Sequence, residues 1–244
     1  MNDSSGNSYS GTLVGGPQWQ PDGGKVGGAL AFDGVDDYID CGVQDGLNLI
    51  NAVSVSAWIK LAGPAQDQKI VGNQDNLNGG FKIGIYENKP EMEIRDSGNS
   101  LSINRFVEGG TKLEPDTWYH IVGTYCQGES IKTYVNGKLD REEKSPKILA
   151  PSAGPLKVGC EPFQDFYWFK GLMDDLQIYN YPLTETEVAA LYSGQAPLVV
   201  AQIQAPAVSA EEPEKASHWI PVSVIMALAI AVGAFIVRKK KMTA

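Results

Sequence analysis

Histidine is almost missing from this chain of 244 residues: His120 and His218 are the two present, so a histidine-rich metal site is excluded. Cysteine is scarce as well. The three thiols, Cys41, Cys126 and Cys160, leave one without a partner whatever the pairing. No D-x-D-x-D-G loop of EF-hand type occurs, and Gly23–Gly28 (GGKVGG) lacks the Ser/Thr that a phosphate loop needs after its lysine. No acidic residue lies beyond Glu214; the 20 basic residues less the four at 238–241 leave 16 against 29 acidic ones before that point, a net of −13. A surface that acidic, with no basic stripe, repels phosphate backbones and excludes nucleic acid as a partner. It suits divalent cations or a saline exterior. Amphipathic helical periodicity is absent outside the extreme C-terminus. Met1 is followed by Asn2-Asp3-Ser4-Ser5-Gly6-Asn7, with no basic residue and no apolar run, so these residues are not expected to act as a secretory signal peptide.

What the chain does have at its end is a run of 19 uncharged residues, Trp219 to Val237. As a helix it is about 28 Å long at about 1.5 Å per residue, close to the ~30 Å of a hydrocarbon core. Trp219 sits at interface level, Pro221 falls in the first turn, and Arg238-Lys239-Lys240-Lys241 follow directly. The expectation is a single transmembrane helix over 219–237 with a basic cytoplasmic tail, 238–244, and everything before it outside the cell. Residues 195–218, rich in Ala, Pro, Gln and Glu, read as an extended stalk. Leu198–Ile203 is apolar enough to be a last strand instead. About 200 residues would then cross the membrane, which calls for an N-terminal export signal, so the native polypeptide is expected to extend upstream.

Within residues 1–194 the pattern is all-β. Val53 to Lys60 alternates, with Val53, Val55, Ala57 and Ile59 on a core face and Ser54, Ser56, Trp58 and Lys60 opposite. Trp118 to Tyr125 is apolar or aromatic on both faces, as for a central strand. Further strands are expected near 29–33, 37–41, 69–72, 80–86, 91–95, 101–104, 131–135, 155–159 and 171–179, separated by Gly, Asn and Asp. Asn136-Gly137 is a strong hairpin signal. Many short strands at this spacing predict a sandwich or jelly roll. One short helix is signed by Thr184 and Glu187 as a capping box, with Leu183 stapled on Val188 and Gly194 at its end; it is expected to plug an open end of the sandwich.

Several stretches resemble one family. Asp3–Asn7, Gly11-Thr12, Ala29-Leu30-Ala31-Phe32-Asp33-Gly34, Asp37-Tyr38, Val55–Ile59 and the segment Trp118–Tyr192 occur in the order found in the laminin-G-like family of the concanavalin A-like lectin/glucanase superfamily. The resemblance implies a β-sandwich displaying binding loops, far more often a recognition module than an enzyme. It also implies an aromatic-rich first strand before Asp3, which this chain lacks. It further points to a structural calcium held by Asp3, Asn7 and Asp174; a reading in which Asp3 and Asp174 bond backbone amides in turns fits equally well.

The loop from Cys160 to Trp168 is the leading ligand site, because carboxylates grip sugar hydroxyls and aromatic faces stack on sugar C–H surfaces. Glu161, Gln164, Asp165, Tyr167 and Trp168 are its candidate contacts. Trp168 fits rim packing as well. Asn73, Asp75 and Asn76 are weaker companions. Glu91-Met92-Glu93-Ile94-Arg95 resembles the alternating carboxylates of the superfamily's β-glucanases, but Arg95 stands where a third carboxylate is required, and no enzyme is expected. Cys41 shares the inward face of Ile39. Cys126 and Cys160 sit at rim positions where an oxidising exterior allows a disulfide; three reduced thiols fit equally. The resulting expectation is a cell-membrane-anchored, extracellular binding or adhesion module for glycan or protein, calcium-assisted. A glycoside hydrolase and a purely structural domain are the alternatives.

Overall fold

The computed structural model describes residues 9–75, 79–95, 104–144, 149–195 and 234–237. Fifteen strands form among them: β1 (Thr12–Val14), β2 (Gln18–Gln20), β3 (Ala29–Asp33), β4 (Tyr38–Asp40), β5 (Ala52–Leu61), β6 (Asp67–Gly72), β7 (Gly80–Tyr86), β8 (Lys89–Arg95), β9 (Asn104–Glu108), β10 (Trp118–Cys126), β11 (Ser130–Val135), β12 (Lys138–Lys144), β13 (Lys157–Val158), β14 (Lys170–Tyr179) and β15 (Ala234–Val237). They build two antiparallel sheets, ordered β1-β4-β13-β6-β7-β8-β9 and β12-β11-β10-β5-β14-β3-β2, with β15 beside β14. The core lies between the sheets. Val53, Val55, Ala57 and Ile59 of β5 meet Phe81, Ile83 and Ile85 of β7 and Met92 and Ile94 of β8 there, all fully buried. Such a two-sheet sandwich is what period-2 alternation and frequent turns predict.

The opposite face of β5 is buried too. Ser54, Ser56 and Trp58 are as inaccessible as their core-facing neighbours, because helix α1 (Glu185–Tyr192) and the segment leading to it cover this side. Leu183 N–H donates to Ser54 Oγ at 2.9 Å, and that hydroxyl donates to Tyr181 O at 2.8 Å. Val122, Tyr134, Tyr179, Leu183 and Val188 close into a second small core. The helix therefore packs on the outer face of the eight-stranded sheet rather than plugging an end. Its capping box forms as expected, with Glu187 N–H donating to Thr184 Oγ1 and the Glu187 carboxylate accepting from Thr184 N–H. Thr184→Ala is expected to lower stability by about 1 kcal/mol, read as a shifted urea midpoint; an unchanged midpoint would leave the apolar contacts as the helix's whole support.

The Asn136-Gly137 hairpin is present with both φ angles positive, 50° and 80°, the geometry of a type I′ turn. Two parts of the expected architecture differ from expectation, and a third lies outside the described residues. Cys126 and Cys160 are not joined; all three cysteines are free, Cys126 ending β10 in one sheet and Cys160 following β13 of the other. Burial pushes the Cys160 thiol up to about 12, which suits an inert core thiol, and Cys41 is buried as its alternation with Ile39 requires. Leu198–Ile203 lies outside the described residues. Of 219–237 only Ala234–Val237 is described, and there the expected helix is replaced by a strand hydrogen-bonded to β14. No helix among the described residues is long and apolar enough to cross a membrane.

Candidate functional site

Strand register fixes which side chains share the outer face of the seven-stranded sheet. Reading across six strands, Asp40 of β4 stands opposite Lys157, Lys157 opposite Gly72, Gly72 opposite Lys82, Lys82 opposite Glu93 and Glu93 opposite Phe106. Their neighbours in each strand, among them Ile39, Val158, Val71, Phe81, Met92 and Val107, point into the core, so this row points outward. A second row runs from Lys69 to Gly84, Glu91 and Glu108. Glycine at 72 and 84 lets the lysine stems lie flat: a Cβ on Gly72 would come within 2.6 Å of Lys82 Cβ, and one on Gly84 within 2.9 Å of Lys69 Cδ.

These charges are buried, because the loop after β13 folds back over them. Glu161 N–H donates to Phe166 O at 2.9 Å, closing the loop on itself, and Lys69 N–H donates to Tyr167 O at 2.9 Å, tying it to β6. Lys82 Nζ stands 3.1 and 3.3 Å from the two Glu161 oxygens and 3.3 Å from Glu93. Lys69 Nζ bridges Glu91 at 2.6 Å and Asp67 at 2.5 Å. Gln74 donates to Glu93 at 3.1 Å while its own carbonyl oxygen is buried without a partner. Burial raises the Glu91 and Glu161 carboxyls, with the neighbouring lysines opposing it, and the two carboxylates raise the Lys69 ammonium against its own desolvation.

The expected loop contacts separate into two groups. Glu161 is 1% exposed and both its oxygens are on Lys82, so it fastens the loop and offers nothing to a ligand. Gln164, Asp165 and Tyr167 are exposed. Asp165 is held by Lys157 at 2.7 Å. Tyr167 adopts a left-handed φ of 55°, and its ring is fixed by an edge contact with Phe166 at 4.3 Å and by the Lys69 ammonium at 5.4 Å. Trp168 is half-buried with its indole N–H enclosed and unpartnered. Phe163 lies over Lys82 and Arg95, 5.8 and 6.0 Å away. Of the weaker companions, Asn73 bonds Leu47 O and Phe81 N–H, Asp75 takes Gly79 and Ala153 N–H, and Asn76 lies outside the described residues.

Glu91 and Glu93 share this face but are both ion-paired beneath the loop, 8% exposed each. Neither opens on a groove. Asp3 and Asn7 lie outside the described residues. Asp174 is buried, its pKa raised chiefly by burial, and its carboxylate accepts from Val26 N–H at 3.1 Å and from Lys25 N–H. Of the three expected calcium ligands the described residues therefore include one, a carboxylate already bonded to backbone amides. Asp33, Asp36 and Asp37 bring carboxylate oxygens within 4.8 Å of one another; Asp33 and Asp37 accept from the turn's own amides. His120 is the strand residue its surroundings suggest, with Nε2 2.8 Å from Ser56 Oγ.

A family model described as the concanavalin A-like lectin/glucanases superfamily, Laminin_G_3, matches residues 33–189. The chain belongs to this laminin-G-like family. The human adhesion G-protein coupled receptor D1 is 26% identical to this laminin-G-like chain over 120 residues, 48% of the chain and 13% of the receptor. The binding domain of Paraclostridial Mosquitocidal Protein 1 superposes with a TM-score of 0.66 at 18% identity, covering 79% of the chain and 49% of that domain. Domain 4 of AbnA, a GH43 extracellular arabinanase from Geobacillus stearothermophilus solved with arabinotriose, gives 0.61 at 22% identity over 78% of the chain and 91% of that domain. At these identities the two structures establish the laminin-G-like fold. The chain spans about half of the first and a small part of the receptor.

Proposed function

We propose that the sandwich is a recognition module whose ligand seats on the loop 160–168, and that the ligand is a glycan. The observation that carries this is Tyr167. A tyrosine at positive φ is a strained choice, found where surrounding structure holds it for a purpose, and here an exposed ring is braced from two sides by Phe166 and Lys69. A rigid ring flanked by Gln164 and Asp165 supplies what a sugar needs: a flat apolar face beside hydrogen-bonding groups. The half-buried Trp168 borders it. The arabinotriose on AbnA domain 4 supports a glycan for this architecture. Extracellular proteins are the second ligand class. The apolar run 219–237 would hold the module on the outer face of a membrane, with the cations at 238–241 inside.

Tyr167→Ala is expected to weaken binding of arabino-oligosaccharides or of the best hit on a glycan array by tenfold or more, about 1.4 kcal/mol, with the urea midpoint unchanged. Full binding by that variant would remove the loop from the site. Absence of any glycan binding by the parent would pass the reading to a protein ligand.

A further inference from the structure

Lys82 is enclosed more tightly than an ordinary ion pair. Its Nζ lies 3.1 and 3.3 Å from the two Glu161 oxygens and 3.3 Å from Glu93, so one ammonium faces two carboxylates. The side chains of Lys82, Glu161 and Glu93 are 9%, 1% and 10% exposed. Around Lys69 the acidic partners are wetter, the Glu91 and Asp67 side chains being 11% and 21% exposed. Phe163 stands 5.8 Å from the Lys82 ammonium, so the cover over the group is apolar. Backbone bonds hold the loop down independently of the charges, from Glu161 N–H to Phe166 O and from Lys69 N–H to Tyr167 O. Amine and carboxyl are thus kept together by structure that does not depend on their attraction.

Two reacting groups fixed in contact behave as if one were present at up to about 10⁵–10⁸ M, and a site closed to water does not return the product by hydrolysis. What amide formation still needs is a group to move protons, because an ammonium is no nucleophile. Glu93 is in place for that. We propose that Lys82 and Glu161 condense to an internal amide with Glu93 as proton carrier, riveting the loop 160–168 to β7. Glu93 takes a proton from the ammonium, and the freed lone pair of Nζ attacks Cδ of Glu161. The N–C bond forms and one C–O bond of Glu161 breaks. The departing oxygen leaves as water with the two protons that the nitrogen gives up, one of them returned by Glu93. Ammonium plus carboxylate becomes amide plus water, with no other reactant. Burial, which raises the Glu161 carboxyl, favours the neutral product. The ion pair described above is the reactant state, and the bond is independent of what the loop binds.

The test is the mass of the full chain, purified in detergent, incubated folded at neutral pH and then measured denatured. The parent is expected to be one water lighter than its sequence. In a tryptic digest Lys82 should be uncleaved and its peptide joined to Val158–Lys170, which carries Glu161. Lys82→Arg keeps the cation but removes the nucleophile, and Glu93→Gln keeps a polar group that cannot take the proton; both should retain full mass. Parent protein at full mass after incubation would overturn the proposal, whether or not the variants fold. A water loss that maps elsewhere, such as a succinimide at Asp33-Gly34, would overturn it as well. A bridge that forms as fast in Glu93→Gln would overturn the role of Glu93 and leave the amide standing.

Discussion

Lys82→Met is expected to lower the unfolding free energy by about 3–5 kcal/mol at neutral pH, the usual cost of removing one partner from a buried ion pair. The lysine stands between Glu161 and Glu93, 1% and 8% exposed, and its loss leaves two carboxylates facing each other without water. Adding Glu161→Gln should recover part of the loss, because one of the stranded charges is then gone. The deficit should also shrink on acidification, since burial already raises the Glu161 carboxyl and a proton can replace the missing ammonium. Urea unfolding of the two variants at pH 7 and pH 5 checks all three. A loss below about 1 kcal/mol would mean that solvent reaches this face and that the loop 160–168 is not clamped as described.

That network was illegible in the sequence for a physical reason. Val53–Lys60 and Gly80–Tyr86 announce themselves through local alternation, and both are strands within a residue or two of expectation. Lys69, Lys82 and Glu93 also alternate with apolar neighbours, and a charged residue in such a position reads as solvated. What buries them is a loop about 80 residues further along the chain, and no local pattern reports a lid that arrives from so far away. Glu161 suffered the reverse error: a carboxylate in an aromatic loop looks like a ligand contact, whereas its partner is Lys82 beneath it. Tyr167 could be named from composition, but its left-handed backbone, the feature that singles it out, could not. β12 went unseen because a strand that buries nothing has no apolar period to detect, and β1 and β2 because they are three residues long and mostly exposed. The helix was read correctly from its cap, yet its docking face was not: Trp118–Tyr125 is apolar on both faces, which tells that its outward side is covered but not by what.

Acidification from pH 7 to about pH 4 is expected to remove up to about 3 kcal/mol of stability through His120 alone. Burial lowers this histidine from 6.5 to about 4, and its Nδ1 is enclosed with no hydrogen-bond partner. The unfolded chain accepts a proton below pH 6.5 that the folded one refuses. The contribution is therefore complete above pH 6.5 and disappears as pH falls through the folded value. The rings of Trp58 and Tyr192, 5.2 and 6.1 Å away, are its aromatic neighbours, with Lys25 on the Trp58 ring, so no carboxylate in that group rescues the imidazolium. Glu91, Glu161 and Asp174 act in the opposite direction, because raised carboxyls favour the folded state as pH falls. The parent's slope is a sum of both, and His120→Gln isolates the histidine: its stability should fall less between pH 7 and pH 4.5. Parallel profiles for parent and variant would contradict the assignment.

The end of the eight-stranded sheet has a consequence for how these molecules behave when crowded. β12 reads Lys-Leu-Asp-Arg-Glu-Glu-Lys, almost wholly exposed, and its register with β11 slips between Thr133 and Tyr134. Charges of alternating sign and a local irregularity are two of the devices that stop one sheet from growing onto another. At low pH the three carboxyls neutralise and leave three cations, so the margin turns from mixed to uniformly positive and repels its copies. Precipitation of the folded domain in acid, if it occurs, should therefore begin somewhere other than this strand, and dense arrays of it on a surface can sit side by side without fusing their sheets.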